Sequence, residues 1–195
     1  MRQGLQERSE HELGTAVLGI GLLLALQAVA LLAIGSPAIC RCGYVSLWYA
    51  NPSGSETSQH LLDWYSYTHV LHGFAFYYLI RLLAPGWSVA AVLVAAIALE
   101  AGWEVLENTP LIIDRYRQSA VARGYYGDSV VNSVADTLAA AAGVGLALRL
   151  PVAIIVLLAA GSEVFAGYMI RDSLVLNIAQ LVYPSEALSR WQMGR

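Results

Sequence analysis

The stretch WSVAAVLVAAIALEAGWEVL (87–106) decides how this chain is read. Its 20 residues are long enough to cross a bilayer, which takes about 20 mostly apolar residues at about 1.5 Å each. Yet it carries Glu100 and Glu104. Its eight strongly apolar side chains contribute about 0.5 kcal/mol each to insertion, and each intramembrane acid costs about 3 kcal/mol. The two acids outweigh the apolar gain, so this helix requires partners on other helices for its acidic face.

The rest of the chain supplies those helices. Of 195 residues, 57% are hydrophobic and 13% charged, against about 25% charged in a soluble domain. Too few charges remain to cover a soluble surface, which points to a lipid bilayer as solvent. Lysine is absent, all 11 basic residues are arginine, and the net charge is -3. No basic cluster marks a nucleic-acid partner. Four further apolar runs accompany the first, giving spans at about 14–34, 64–83, 87–106, 128–148 and 151–170. A short polar tail, 1–13, precedes a single helical membrane domain, 14–195. Leu174–Tyr183 is too short to cross and reads as an interfacial helix. The expected fold is therefore all-α: a bundle of about five transmembrane helices plus a short C-terminal interfacial helix.

Segment one follows Arg2 and Arg8 as a signal peptide would, but its apolar run of about 21 residues exceeds the usual 7–15. It reads as a retained helix. Cys40 and Cys42 form a lone C-x-C, a spacing that seldom bridges, and read as two ordinary thiols near a membrane surface. His60 is the one soft ligand near them.

The polar residues inside the spans fall on helical faces. His69 and His72 are three apart; Glu100, Glu104 and Glu107 sit at i, i+4 and i+7; Asp128, Asn132 and Asp136 sit at i, i+4 and i+8. Residues three or four apart share a face. Successive spans alternate direction, so His72, Asp136 and Glu163 each lie about 12 Å in from one common side. The stripes can converge in one polar pocket open to that side. Glu163 alone is as readily a structural hydrogen-bond partner as a member of the site, and Trp64, Trp87 and Trp103 read as interfacial anchors.

CRCG (40–43), SQHLLDWYSYTHVLHGFAFYY (58–78), EAGWEVLENTPLIIDRYR (100–117), GDSVVNSVADT (127–137) and GYMIRDSLVLN (167–177) resemble an uncharacterised bacterial multi-pass membrane protein family of unknown function. More remotely, the order of Asp63, His69, Glu100, Asp128 or Asp136, Asn132 and Gly143 is similar to VanZ-like membrane proteins. The Lys and Gln of that pattern are missing here. Neither resemblance implies a settled reaction.

Three functions fit such a pocket. The first is a metal-dependent enzyme acting on a lipid or polyprenyl headgroup, with Glu100, Glu104, Asp136 and Asn132 as candidate catalytic residues. His69, His72 and Glu104 are its candidate ligands for a divalent metal, since mixed imidazole and carboxylate donors suit zinc, manganese or iron. Arg115, Arg117 and Arg123 could receive the phosphate of a lipid-like ligand by forked hydrogen bonds. The second is a proton-coupled transporter using the acids as a relay; the third is an assembly or partner protein of another membrane protein. The side holding loop one carries seven arginines and the opposite side four, so the positive-inside rule puts the pocket in the cytoplasm. The aromatic first loop, with one arginine, argues the reverse. The expectation here is a plasma (inner) membrane protein with a cytoplasmic N-terminus and a pocket facing outward.

Overall fold

A computed structural model describes residues 2–118, 121, 122 and 124–194, with side chains from residue 14 onward. Eight helices follow in order: α1 (Arg2–Ile34), α2 (Ser66–Leu83), α3 (Val89–Glu107), α4 (Pro110–Tyr116), α5 (Val130–Ala147), α6 (Val152–Ile170), α7 (Leu174–Val182) and α8 (Glu186–Gln192). Their ends follow side-chain chemistry. Ser88, Ser129, Ser173 and Ser185 each turn a hydroxyl onto a backbone N–H of the first turn of α3, α5, α7 and α8. Pro110 opens α4, where its missing N–H costs nothing. Arg171, at φ 54°, ends α6 in the left-handed region.

Among the described residues, four helices are long and apolar enough to cross a membrane: the Gly14–Ile34 part of α1, and α3, α5 and α6. They suggest a membrane protein. Helix α2 has 18 residues but is not among the four. Thr68, His69, His72, Arg81 and its tyrosines dilute the apolar run, and its closest packing is against α5 and α3. The five expected spans thus appear as five long helices, of which four qualify by their own composition. Other expectations are refined. Helix α1 begins at Arg2, so the presumed polar tail is part of it. The C-terminal region forms two short helices rather than one, and α4 stands between the long helices α3 and α5. Trp48–Tyr49 (β1) pairs in parallel with Leu62–Asp63 (β2), a two-residue ladder inside the first loop.

The polarity of the bundle is inverted relative to a soluble protein. Leu18, Leu22, Leu26 and Val29 of α1 and Leu157, Val164, Phe165 and Tyr168 of α6 are exposed, while Gln27, His69, Glu100, Glu104, Asn132, Asp136 and Thr137 are buried. Lipid makes that arrangement favourable, because intramembrane polar groups face the interior. A small apolar core of Ile80, Val92, Ala96 and Val144 closes the bundle beneath them.

Candidate functional site

Close approach of α2 and α5 builds the site. Gly73 and Gly143 face each other where a Cβ on either would collide with the opposite backbone. One turn above, that contact sets His69 beside Asp136. The imidazole of His69 occupies the centre. Its Nδ1 lies 2.6 Å from Glu100 Oε1 and 3.0 Å from Glu104 Oε1, and its Nε2 lies 3.7 Å from Asp136 Oδ2. His72 brings Nδ1 to 3.1 Å from Glu100 Oε2. Two rings on α2 therefore converge on one carboxylate of α3, and three buried carboxylates surround His69.

Behind this centre a hydrogen-bond chain ties three helices together. Ser133 donates to Glu104 Oε2 at 2.7 Å, Gln27 Nε2 donates to Ser133 Oγ at 2.8 Å, and Thr137 donates to Gln27 Oε1 at 2.9 Å. Gln27 escaped notice in the sequence, although it is the one amide in the Gly14–Ile34 span.

In front of the centre lies a cavity of about 390 Å³. Its polar wall is His69, His72, Asp136, Glu107 and Asp128; its aromatic wall is Tyr65, Phe76, Trp103, Tyr116, Tyr125 and Tyr126; α7 contributes Leu174, Ile178 and Leu181. Glu107 is hydrogen-bonded to Tyr116 through one oxygen. Asp128 accepts from Asn108 Nδ2 at 2.6 Å and from the Tyr125 hydroxyl at 2.9 Å. Burial pushes the Asp128 carboxyl up to about 7, with Glu104 adding to the rise while Asn108 and Tyr125 oppose it. Two buried carboxylate oxygens, Glu107 Oε2 and Asp136 Oδ1, lack a hydrogen-bond donor, and Glu104 Oε1 shares His69 Nδ1 with Glu100.

The sequence-predicted residues divide. His69, His72 and Asp136 line the cavity; Glu100 and Glu104 sit directly behind His69. Asn132 does not face it: its Nδ2 donates to the His60 carbonyl at 2.8 Å, fastening the first loop to α5. Arg115 and Arg117 are absent from the lining. Arg115 donates to the carbonyls of Leu181 and Val182, closing the end of α7, and Arg117 donates to the Tyr125 carbonyl at 2.6 Å. Arg123 lies outside the described residues. Glu163 is a cap: its two oxygens accept from the N–H groups of Leu174 and Val175, each at 3.0 Å.

The C-x-C reading is corrected. Cys40 and Cys42 are disulfide-bonded, with Cα atoms 5.1 Å apart in a turn that the Gly43 N–H closes on the Cys40 carbonyl at 3.0 Å. His60 is near but engaged: its Nδ1 accepts from the Ser46 N–H at 3.0 Å, so its Nε2 donates to Glu56 at 2.9 Å. A ring held in that tautomer has no lone pair left for a metal.

Comparison with known proteins now places the chain. Residues 31–194 match the family described as "Protein of unknown function (DUF2585)". The chain belongs to this family. A UPF0314 protein of Rhizobium johnstonii is 47% identical over 172 residues, covering 88% of each chain. One of Rhizobium meliloti is 44% identical over 191 residues, covering 98% of this chain and 97% of its own. One of Novosphingobium aromaticivorans is 43% identical over 202 aligned positions, covering 99% and 98%. No solved structure matches. The DUF2585 match begins near the end of α1 and takes in every residue of the cavity; Gln27 lies before it.

Proposed function

We propose that this DUF2585 protein is a divalent-metal-dependent membrane enzyme acting on a lipid headgroup, with the metal held around His69. The observation that carries this reading is the set of buried carboxylates without enough donors. Glu100, Glu104 and Asp136 surround one imidazole; Glu104 Oε1 must share His69 Nδ1 with Glu100, and Asp136 Oδ1 has no hydrogen-bond donor. Uncompensated buried anions are costly, and a bound cation is the usual remedy. Two groups sharing His69 have ligand atoms within 4.8 Å of one another, His69–His72–Glu100 and His69–Glu104–Asp136. Their nitrogen and oxygen donors suit zinc, manganese or iron.

A divalent cation there would supply Lewis acidity to a phosphoryl or carbonyl oxygen of the headgroup. The chain's own contribution is positioning: Glu100 orients both imidazoles, Ser133 and Gln27 hold Glu104, and His72, lining the cavity, is placed to move a proton at the bound headgroup. The relay required of a proton-coupled carrier finds less support. The chain leading from Glu104 ends at Thr137 and Gln27, beside buried Leu31 and Ala140.

The Cys40–Cys42 disulfide supports a first loop outside the cytoplasm, since such bonds persist in oxidising compartments. With one crossing before it, the N-terminus is then cytoplasmic and the cavity opens on the outer side of the plasma membrane. Metal analysis of detergent-purified protein tests the central claim. Wild type should carry a stoichiometric divalent metal that Glu104→Gln and His69→Ala lose while remaining folded. A folded, metal-free wild type that takes up no added zinc, manganese or iron would refute it.

A further inference from the structure

We propose that the aromatic half of the cavity receives an alkylammonium group, so that the substrate is a lipid whose headgroup carries a positively charged nitrogen. This rests on the reading of the cavity as a headgroup site, and it names the class of headgroup.

Charge is the first support. The described lining contains Glu107, Asp128 and Asp136 and no arginine, and Arg115 and Arg117 are spent on backbone carbonyls. The α5 N-terminus, a usual seat for an anion, is also taken: the N–H groups of Val130 and Val131 donate to the carbonyls of Pro37 and Ala38 at 2.9 and 3.2 Å. Apart from the imidazoles of His69 and His72, the described lining therefore offers a bare phosphate no cationic side chain.

The second support is independent of the acids as a cluster. Glu107 lines the cavity, its Oε2 is buried without a donor, and it belongs to neither ligand group around His69. A cation within the cavity satisfies it.

The third is the aromatic wall. Trp103 stands edge-on to His72 with ring centroids 6.1 Å apart, and Tyr116 and Tyr125 form a second T-shaped pair at 5.6 Å. The phenol hydroxyls of Tyr116 and Tyr125 are committed to Glu107 and Asp128, which enriches the rings in electron density. Aromatic faces combined with carboxylates are the recurring means of recognising quaternary and other alkylammonium ions. Leu174, Ile178 and Leu181 on the remaining wall suit the acyl end of a lipid.

Titration calorimetry on the purified protein, with and without chelator, tests this with choline, ethanolamine, dihexanoyl phosphatidylcholine below its micellar concentration, and inorganic phosphate. Saturable binding of an ammonium compound to chelator-treated protein is expected. The short-chain lipid should bind at least about ten-fold tighter than choline, and Glu107→Gln or Trp103→Leu should each weaken binding about ten-fold with melting temperature retained. No saturable binding by any ammonium compound, phosphate binding better than choline, or indifference to both variants overturns the proposal. Equal affinity for lipid and bare choline overturns its lipid half. Ammonium binding to a protein that proves unable to hold metal would sink the metal reading and leave this one standing.

Discussion

Gly73 of α2 and Gly143 of α5 touch through their backbones, and a methyl group on Gly73 would fall on the Ala140 carbonyl oxygen, with the Gly143 Cα at 2.9 Å. Neither backbone can yield without separating the helices that hold His69 and Asp136. Gly73→Ala and Gly143→Ala should each destabilise by about 1–3 kcal/mol or more, the range for overpacking. Gly161→Ala, with nothing within 4 Å, should not. Thermal unfolding in detergent separates the two outcomes, and equal melting temperatures would contradict the contact.

Gln27 is the tie between α1 and the site. Gln27→Leu preserves size but removes one hydrogen bond from each of the fully buried Ser133 and Thr137, which keep their bonds to Glu104 and to the Ser133 carbonyl. The expected loss is about 1–3 kcal/mol, at about 0.5–1.5 kcal/mol for each buried bond. The neighbouring exposed Leu26→Met should leave the bundle's melting temperature nearly unchanged, because that side chain faces outward and stays apolar.

Asn132 separates a structural role from a chemical one. Asn132→Ala removes the bond to the His60 carbonyl and should free the first loop. Trypsin should then cut after the exposed Arg41 faster than in wild type. Metal content should be unchanged, whereas loss of metal would return Asn132 to the site.

Asp172 gives the fold a pH dependence of known sign. Burial lifts its carboxyl to about 6, against hydrogen bonds from Tyr65 and the Ser173 N–H, and Glu163 adds to the rise. The unfolded value is near 3.9. A raised folded value means the stabilising proton is fully bound below about pH 4 and is lost as pH rises through about 6. Asp172→Asn should therefore flatten the fall in melting temperature between pH 4 and pH 7. A parallel fall in both proteins would locate the titration elsewhere.

Membrane orientation is readable at Ser55, exposed in the first loop. The native cysteines are bonded, so Ser55→Cys should be the site modified by an impermeant maleimide on intact cells. Labelling only after lysis would place the loop in the cytoplasm.

The long helices were legible because lipid-facing runs such as 14–34 and 152–170 need apolar residues throughout, and the acids of α3 announced an interior partner. The stripe spacing also placed His69, Glu100, Glu104 and Asp136 on faces that meet. Asn132 shows the limit of a stripe. It shares a face with Asp136 but lies one turn, about 6 Å, closer to the end of the helix, where the first loop claims it. The aromatic wall was not legible, since Tyr116 and Tyr125 reach the cavity through α4 and an irregular loop. Nor was α7, which joins the cavity wall while Glu163 of α6 holds its first turn and Arg115 of α4 its last carbonyls. Nor could spacing show that Arg115 meets the carbonyls at the end of α7 and Arg117 that of Tyr125, in the loop before α5.

The Glu163 cap has a mechanical side. Helix α6 buries little beyond Ile155 and Ala166, so the bundle restrains its tilt only weakly. Both oxygens of Glu163 grip the start of α7, and α7 supplies Leu174, Ile178 and Leu181 to the cavity. A thinner or thicker hydrocarbon layer that re-tilts α6 therefore drags one wall of the cavity with it. The surrounding lipid is in this way a lever on the chamber as well as its solvent.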